Sequence, residues 1–429
     1  MPVVDQTPPG GTFRRHAALF GYALMVVIAS RLLLYGIGYL GLNLFPSYTE
    51  RPAYDTSIQS GQSFERMRLP EKLSDTRMLH FSDLYKFDVY SYADIAENGY
   101  HQYKLDEPHP PANWVFFPLY PMMVKGLSYI LPWWSIHTIG VLLSNLLLVV
   151  ALYFVQLIAL ARGLVREEAG QLLVMIAVYP ASLYFSLMYT ESMFFCLSAA
   201  TVYLALTKRY FWALLAAGLS TVTRVPGVAN LLLAGGMLLI DLVMQRKWRF
   251  RWSDAKYMLY IGLSLLPLLS YFLYMQQLTG SFLAPVHEQD NWGRAEAIPF
   301  QGYLHYFREP YFILGGGGWD NGVITFVMAT FALGIFAAYA IKHIRTLVRD
   351  YRELLFFAYG FMLIAIPFSS SPTLLTSIVR YMMVSIPLYF YLHDLTKRHG
   401  MVRQFALALM IMLNVVITVC FINNYFFVV

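Results

Sequence analysis

Charge is what this chain has least of. Only 13% of its 429 residues are Asp, Glu, Lys or Arg, about half the share a soluble globular protein carries. Cysteine is almost absent. Cys196 and Cys420 both sit inside apolar runs, which excludes a disulfide framework. The one glycine run, Gly315–Gly318, lacks the following Lys-Ser/Thr of a phosphate-cradling loop. The His and Glu residues show no convincing metal-ligand spacing, no Ser-His-Asp nucleophile order is present, and no repeat of 20–50 residues is visible. A sugar-accepting Asn-x-Ser/Thr sequon is missing as well, which leans toward a prokaryotic source.

What remains is apolar. Hydrophobic residues make up 58% and aromatics 17% of the chain, with mean hydropathy +0.51. Runs long enough to cross a bilayer recur along the whole length, so the chain reads as an all-α polytopic membrane protein. Its net charge of +6 comes from Lys and Arg in short segments between apolar runs. That pattern sets membrane topology and gives no reason to expect nucleic-acid binding.

The chain divides into a polar tail over 1–15, expected to be disordered, and a first transmembrane helix over 16–42. A long polar loop over 43–113 follows, then membrane helices over 114–277, a second loop over 278–321 and C-terminal transmembrane helices over 322–429. Arg14 and Arg15 place the N-terminus in the cytoplasm and the 43–113 loop outside. The clusters Arg162/Arg166, Lys208/Arg209, Arg246–Arg251, Lys342–Arg352 and Lys397–Arg403 then all fall on the cytoplasmic side. This holds if the segment 115–131, with Pro118, Pro121 and Lys125, does not cross. The count is about eleven spans. Arg31 interrupts the first helix and either marks a functional site or faces another helix.

The stretch Phe87 to Pro121 gathers acids, tyrosines and prolines at the border of water and lipid. Asp88, Asp94 and Glu97 are spaced so that a helix puts Asp94 and Glu97 on one face and Asp88 on another. A carboxylate at the rim of a cavity is suited to take a proton from a sugar hydroxyl, though the same acids could merely solvate an amphipathic helix. Glu191 opens an apolar run, either as a first-turn anion or as a second acid in the same cavity. Arg224, beside Pro226 and Gly227, is costly at membrane depth unless paired, by a phosphate or by an internal carboxylate such as Glu191. The loop 278–321 carries His287, Glu288, Gln289, Trp292, Arg294 and Glu296, a mixture suited to sugar recognition or to an ordinary interfacial segment. Arg380 and Tyr381, and the polar Ser369-Ser370-Ser371-Pro372, fall on the same predicted side.

F-D-V-Y-S-Y-A-D-I-A-E-N-G-Y over 87–100, followed by F-F-P-L-Y-P over 116–121, resembles the W-D-x-x-x-[FY]-x-x-I-A-x-x-G-Y … F-F-P-x-[YF]-P signature of the PIG-V family, the glycosylphosphatidylinositol mannosyltransferase II proteins and their prokaryotic relatives. Tyr179-Pro-Ala-Ser-Leu-Tyr-Phe-Ser…Tyr-Thr-Glu-Ser-Met-Phe, Thr223-Arg-Val-Pro-Gly and Val379-Arg-Tyr-Met-Met-Val-Ser-Ile-Pro-Leu resemble later elements in the same order. Phe87 stands where the family usually has Trp. The resemblance implies a GT-C glycosyltransferase fold. It also implies inverting transfer of mannose from a polyprenyl- or dolichyl-phosphate-mannose donor to a lipid-linked or glycolipid acceptor on the extracytoplasmic face. Asp88 would be the catalytic base or its neighbour. Asp94, Tyr100, Glu191, Arg224, Gln289, Trp292, Arg294, Arg380 and Tyr381 are carried as substrate-binding candidates. No cofactor or metal is expected, the partners are membrane lipids and the two substrates, and an accessory subunit is left open. A bacterial plasma membrane is favoured over endoplasmic reticulum. The competing readings are a transporter or flippase for a lipid-linked or anionic substrate, which would usually show internal symmetry, and an inactive scaffold.

Overall fold

A computed structural model describes residues 9–45, 47, 69–246, 254–292, 297–314, 320–375 and 377–425. Helices dominate them. A two-residue antiparallel ladder, pairing Ile313 with Asn321 and Leu314 with Asp320, is the one strand pairing among the described residues.

Helix α1 runs Pro9–Leu44. Its start at Pro9 takes in residues 9–15, which the sequence reading assigned to a disordered tail. Proline fits a first helical turn because its missing N–H has no intrahelical partner there. Residues 1–8 lie outside the described set. The long loop then holds α2, Asp88–Asn98. Beyond it come α3, Leu119–Ile130, α4, Ile136–Ala161, α5, Arg166–Ala177, α6, Glu191–Leu206, α7, Tyr210–Thr221, α8, Gly227–Arg246, and α9, Ala255–Thr279. The second loop contains two short helices, α10, Ala284–His287, and α11, Gln301–Arg308. The C-terminal part comprises α12, Gly322–Arg349, α13, Tyr351–Ala365, α14, Ile378–Met382, α15, Ile386–Thr396, and α16, Gly400–Ile422. Local signals set several ends. The Ser135 hydroxyl accepts from Thr138 N–H to start α4, the Asp350 carboxylate accepts from Arg352 and Glu353 N–H to start α13, and Gly280 closes α9 at φ 85°.

The protein is thus an all-helical, multi-pass membrane protein. Among the described residues seven helices, α1, α4, α8, α9, α12, α13 and α16, are long and apolar enough to cross a bilayer, against the eleven or so expected. The difference has a physical source. The apolar stretch 170–188 breaks after α5, where Pro180 cannot continue the helix, and resumes as a 3-10 turn over Ser182–Ser186. The stretch 377–393 is split into α14 and α15. The helices α6 and α7 are apolar but shorter, at 16 and 12 residues. The segment 115–131, expected not to cross, becomes α3, whose 12 residues extend about 18 Å.

The ends of the bundle differ. At one end four of the five basic clusters meet acidic partners. Arg162 pairs with Glu353 at 2.7 Å. Lys208 (3.1 Å) and Arg352 both reach Asp241. Lys342, His343 and Lys397 converge on Asp394 at 2.7–2.8 Å, and Arg403 donates to the Gln171 side-chain oxygen. The side chains of the fifth cluster, 246–251, lie outside the described residues. At the opposite end lie α2, α3, α10, α11 and the turn between α7 and α8. Arg31 faces other helices: it donates to the Ser182 and Ala177 carbonyls and to the Ser186 hydroxyl, serving the backbone that the break after α5 leaves unpaired.

Candidate active site

Asp88 is the first residue of α2, delivered by an unusual turn. Phe87 has φ 57°, a region that costs a bulky residue, and the turn is fastened to the end of α16. Lys86 Nζ donates to the carbonyls of Ile422 (2.6 Å) and Phe421 (3.3 Å), and the Phe87 ring meets the Phe421 ring edge-on at 5.5 Å. A cation at a helix C-terminus is favourable, yet burial pushes the Lys86 ammonium down to about 8. The Asp88 side chain stays 21% exposed, and its Oδ2 accepts from Arg380 Nη1 at 2.9 Å.

Arg380 comes from α14, which opens at Ser377 in the left-handed region. Its side chain is only 3% exposed, and its guanidinium sits beside the faces of Tyr184, Tyr189 and Tyr381 at 5.0–5.4 Å. Its Nη2 donates to the Tyr381 hydroxyl at 3.1 Å, and its Nε lies 3.4 Å from Glu191 Oε1. Glu191, the first residue of α6 and 1% exposed, also pairs with Arg224. Arg224 projects from the α7–α8 turn, donates to the Thr190 hydroxyl at 3.4 Å and stacks over the Tyr381 ring at 4.7 Å. That turn requires Gly227, because a Cβ there would lie 2.3 Å from the Ser220 carbonyl oxygen.

Two carboxylates and two guanidinium groups therefore form one neutral chain, Asp88–Arg380–Glu191–Arg224, with Tyr381 between the arginines. It lines a cavity of about 760 Å³, within the range of small-ligand sites. Val225, Val228, Leu268 and Phe272 supply an apolar wall. His287, Gln289, Asp290, Trp292, Ser369 and Ser370 line the cavity as well. The second loop is held in place by buried contacts. Glu288 accepts from Ala112 N–H at 2.6 Å, and Trp292 Nε1 donates to the Ala112 carbonyl at 2.8 Å.

Asp88, Glu191, Arg224, Gln289, Trp292, Arg380 and Tyr381, all singled out from sequence, meet at this cavity. Asp94 and Tyr100 do not. Asp94 accepts from Asn113 Nδ2 at 2.8 Å and lies 3.0 Å from His101 Nε2, tying the 99–113 segment back onto α2. The Tyr100 hydroxyl donates to the Phe116 carbonyl at 2.6 Å. Arg294 and Glu296 lie outside the described residues. Sequence reasoning did not single out Tyr92 and Asp290 as lining residues, or Tyr184 and Tyr189 as the rings beside Arg380. Tyr184 and Tyr189 fall within the motif run 179–194, but their role depends on an arginine nearly two hundred positions away.

No family model, no curated protein and no solved structure matches this chain, so any functional reading rests on the residues and geometry of this cavity and on the motif resemblance.

Proposed function

We propose that the protein is a membrane glycosyltransferase of the GT-C type, acting from the extracytoplasmic face of a bacterial plasma membrane. It transfers mannose, with inversion, from a polyprenyl- or dolichyl-phosphate donor to a lipid-linked acceptor. The observation that carries this reading is the Asp88–Arg380–Glu191–Arg224 chain opening onto a cavity at the end of the bundle opposite the basic clusters.

The chemistry needs three things, and the residues are suited to each. The acceptor hydroxyl attacks the anomeric carbon while Asp88 takes its proton. Oδ2 of Asp88 is engaged by Arg380, which orients the carboxylate to act as a base. The bond from the anomeric carbon to the phosphate oxygen breaks, and its electron pair leaves with the lipid phosphate. Arg224 and Arg380 stabilise the charge gained there, in a site whose low exposure strengthens the effect. Trp292, Gln289, Asp290 and His287 line the same cavity, and their ring and polar groups suit contact with the sugar and acceptor.

The test is mannose transfer from polyprenyl-phosphate-mannose by the purified protein. Asp88→Asn preserves shape and removes the base, so transfer should fall by a factor of about 100 or more. Wild-type turnover in this variant would remove Asp88 from the mechanism.

A further inference from the structure

The second loop holds a helix whose sides are sorted three ways. Around α11, at about 100° per residue, Gly302, Tyr306 and Tyr303 come first, then Phe307 and Leu304, then Arg308, Gln301 and His305. The first group faces protein. Gly302 and Tyr306 are buried, and the Tyr303 and Tyr306 rings stack on Phe326 of α12 at 5.0 and 4.6 Å. The second group is apolar and uncovered, Phe307 at 63% and Leu304 at 61% exposure. The third is polar, with Gln301 and Arg308 exposed. A helix lying on protein in water carries polar residues on both flanks of its packed side. In α11 one flank is apolar and the other polar, the pattern of a helix lying in a membrane interface.

The depth of α11 agrees. Its neighbour α12 is long and apolar enough to cross the bilayer. The Tyr303 hydroxyl donates at 2.8 Å to the Thr330 hydroxyl, which itself donates to the Phe326 carbonyl. Thr330 lies about 12 Å along α12 from its start at Gly322, so α11 packs beside the span rather than above it. The Phe307 ring meets Phe326 edge-on at 4.8 Å. Val323 and Val327 share the stripe of Phe326 and Thr330 and are exposed, so the apolar flank of α11 continues the outward surface of α12. The packed side of α11 reaches the cavity wall. Ala297 N–H donates to the Ser369 carbonyl at 3.2 Å, the Phe300 and Phe368 rings lie 4.8 Å apart, and a Cβ at Gly302 would come within 2.7 Å of the Leu374 carbonyl oxygen. Ser369 and Ser370 line the cavity, so α11 stands between that wall and the apolar surface.

We propose that α11 docks into the leaflet at the cavity end of the bundle, with Leu304 and Phe307 among the acyl chains, and that this lipid contact braces the cavity wall over 366–370. The partner is the lipid surface itself. Nothing in the proposal depends on the reaction assigned to the cavity.

Spin labelling of the full-length protein in phosphatidylcholine–phosphatidylglycerol vesicles tests the docking. In a Cys196→Ser, Cys420→Ser background, a nitroxide is placed by Leu304→Cys, Phe307→Cys, Gln301→Cys, Glu107→Cys or Leu266→Cys, one at a time. Collision rates with oxygen, which concentrates in lipid, and with a water-soluble nickel chelate report depth. The labels at 304 and 307 should resemble the one at Leu266, an exposed residue of the long apolar helix α9, and favour oxygen over nickel at least threefold more than the one at the exposed Glu107. The label at 301, on the polar flank, should resemble that at 107. Nickel access at 304 and 307 equal to that at 301 and 107 overturns the docking. Hydrogen exchange in lipid nanodiscs tests the brace. Leu304→Asp combined with Phe307→Asp should speed exchange over 366–375 about tenfold and leave that of α4 unchanged. Wild-type exchange over 366–375 in this variant overturns the brace, as does an equal rise in α4, which would mark general loosening instead.

Discussion

Glu191 is the sharpest test of the charge chain, because its neutralisation should move two observables in opposite directions. Glu191→Gln keeps the volume and removes the charge. In the wild type this buried carboxylate serves both arginines, lying 3.4 Å from Arg380 Nε and closer still to Arg224. At an effective dielectric constant near 20, one such contact is an attraction of about 5 kcal/mol before desolvation. Removing one member of a buried ion pair costs about 3–5 kcal/mol. Arg380 retains Asp88 and Arg224 retains the Thr190 hydroxyl, so the lower end, about 3 kcal/mol, applies here, a drop in melting temperature on the order of 5 °C. The cluster also moves from neutral to a net charge of +1. A negative charge about 6 Å from an incoming phosphate repels it by about 3 kcal/mol at the same dielectric constant. Screening reduces this, leaving a gain in affinity for undecaprenyl monophosphate of about tenfold. Thermal unfolding in detergent and equilibrium lipid binding read the two effects. A variant with wild-type melting temperature and wild-type affinity would refute the ion-paired Glu191.

Tyr381 separates the two guanidinium groups through its ring, so Tyr381→Phe should retain transfer to within about threefold while Tyr381→Leu loses tenfold or more, contacts of this kind contributing about 2 kcal/mol when desolvated. Equal loss in both variants would assign the effect to the hydroxyl. Asp94→Ala removes the acceptor of Asn113 Nδ2 and should lower stability by about 1–2 kcal/mol with KM for the donor unchanged; a raised KM at wild-type stability would return Asp94 to the substrate site. Lys86 tests a pH dependence. Its folded value near 8 lies below the 10.5 of a free lysine, so between those values the unfolded chain holds a proton that the folded chain has released, and stability rises with pH across that window. Lys86→Met should flatten that rise, by no more than about 3 kcal/mol, and an unchanged profile of melting temperature against pH would show that Lys86 contributes nothing to it.

Much of the membrane architecture was legible because hydropathy is a local property. The runs that became α1, α4, α8, α9, α12, α13 and α16 needed no knowledge of their neighbours. The breaks were harder to see. Residues 170–188 stay apolar through Pro180, and the run resumes at once, so composition alone joins α5 to the turn after it. Met383, Val384 and Ser385 separate α14 from α15 without an obvious polar interruption. At the site, Asp88, Glu191, Arg224 and Arg380 could be singled out as ionisable groups at or near the border of water and lipid, Arg224 because a guanidinium there is costly unless paired. Glu191 was open as a partner of Arg224 and is one, but the pairing of Asp88 with Arg380 was not legible, since they lie 292 positions apart. Asp94 shows the converse limit. Its six-residue offset from Asp88 turns it about 240° around α2, away from the cavity and onto His101 and Asn113. The alternatives for Arg224, a phosphate or a carboxylate partner, turn out not to exclude each other: Glu191 holds the guanidinium in place at the wall of a cavity.

The breaks and the site belong together. Non-helical backbone at membrane depth is tolerated only where protein or a wet cavity satisfies its polar groups. Here the irregular segments cluster at one end, and several reach the same charged chain: the Phe87 turn carries Asp88, the segment after α5 leads into Glu191, the α7–α8 turn carries Arg224, and the Ser377 turn leads into Arg380. Side chains from other helices meet the freed carbonyls. Arg31 serves Ala177 and Ser182, and Asn414 donates to Tyr179 at 2.7 Å and Pro180 at 3.3 Å. The opposite end is fastened by the ion pairs at Glu353, Asp241 and Asp394. One end of the bundle thus holds the helices in register, and the other uses that register to keep four charges from four distant segments aligned on a cavity. That division of labour gives a purpose to Arg31, an intramembrane charge that does not line the cavity: without it, the Ala177 and Ser182 carbonyls on the way to Glu191 would lose their side-chain donor.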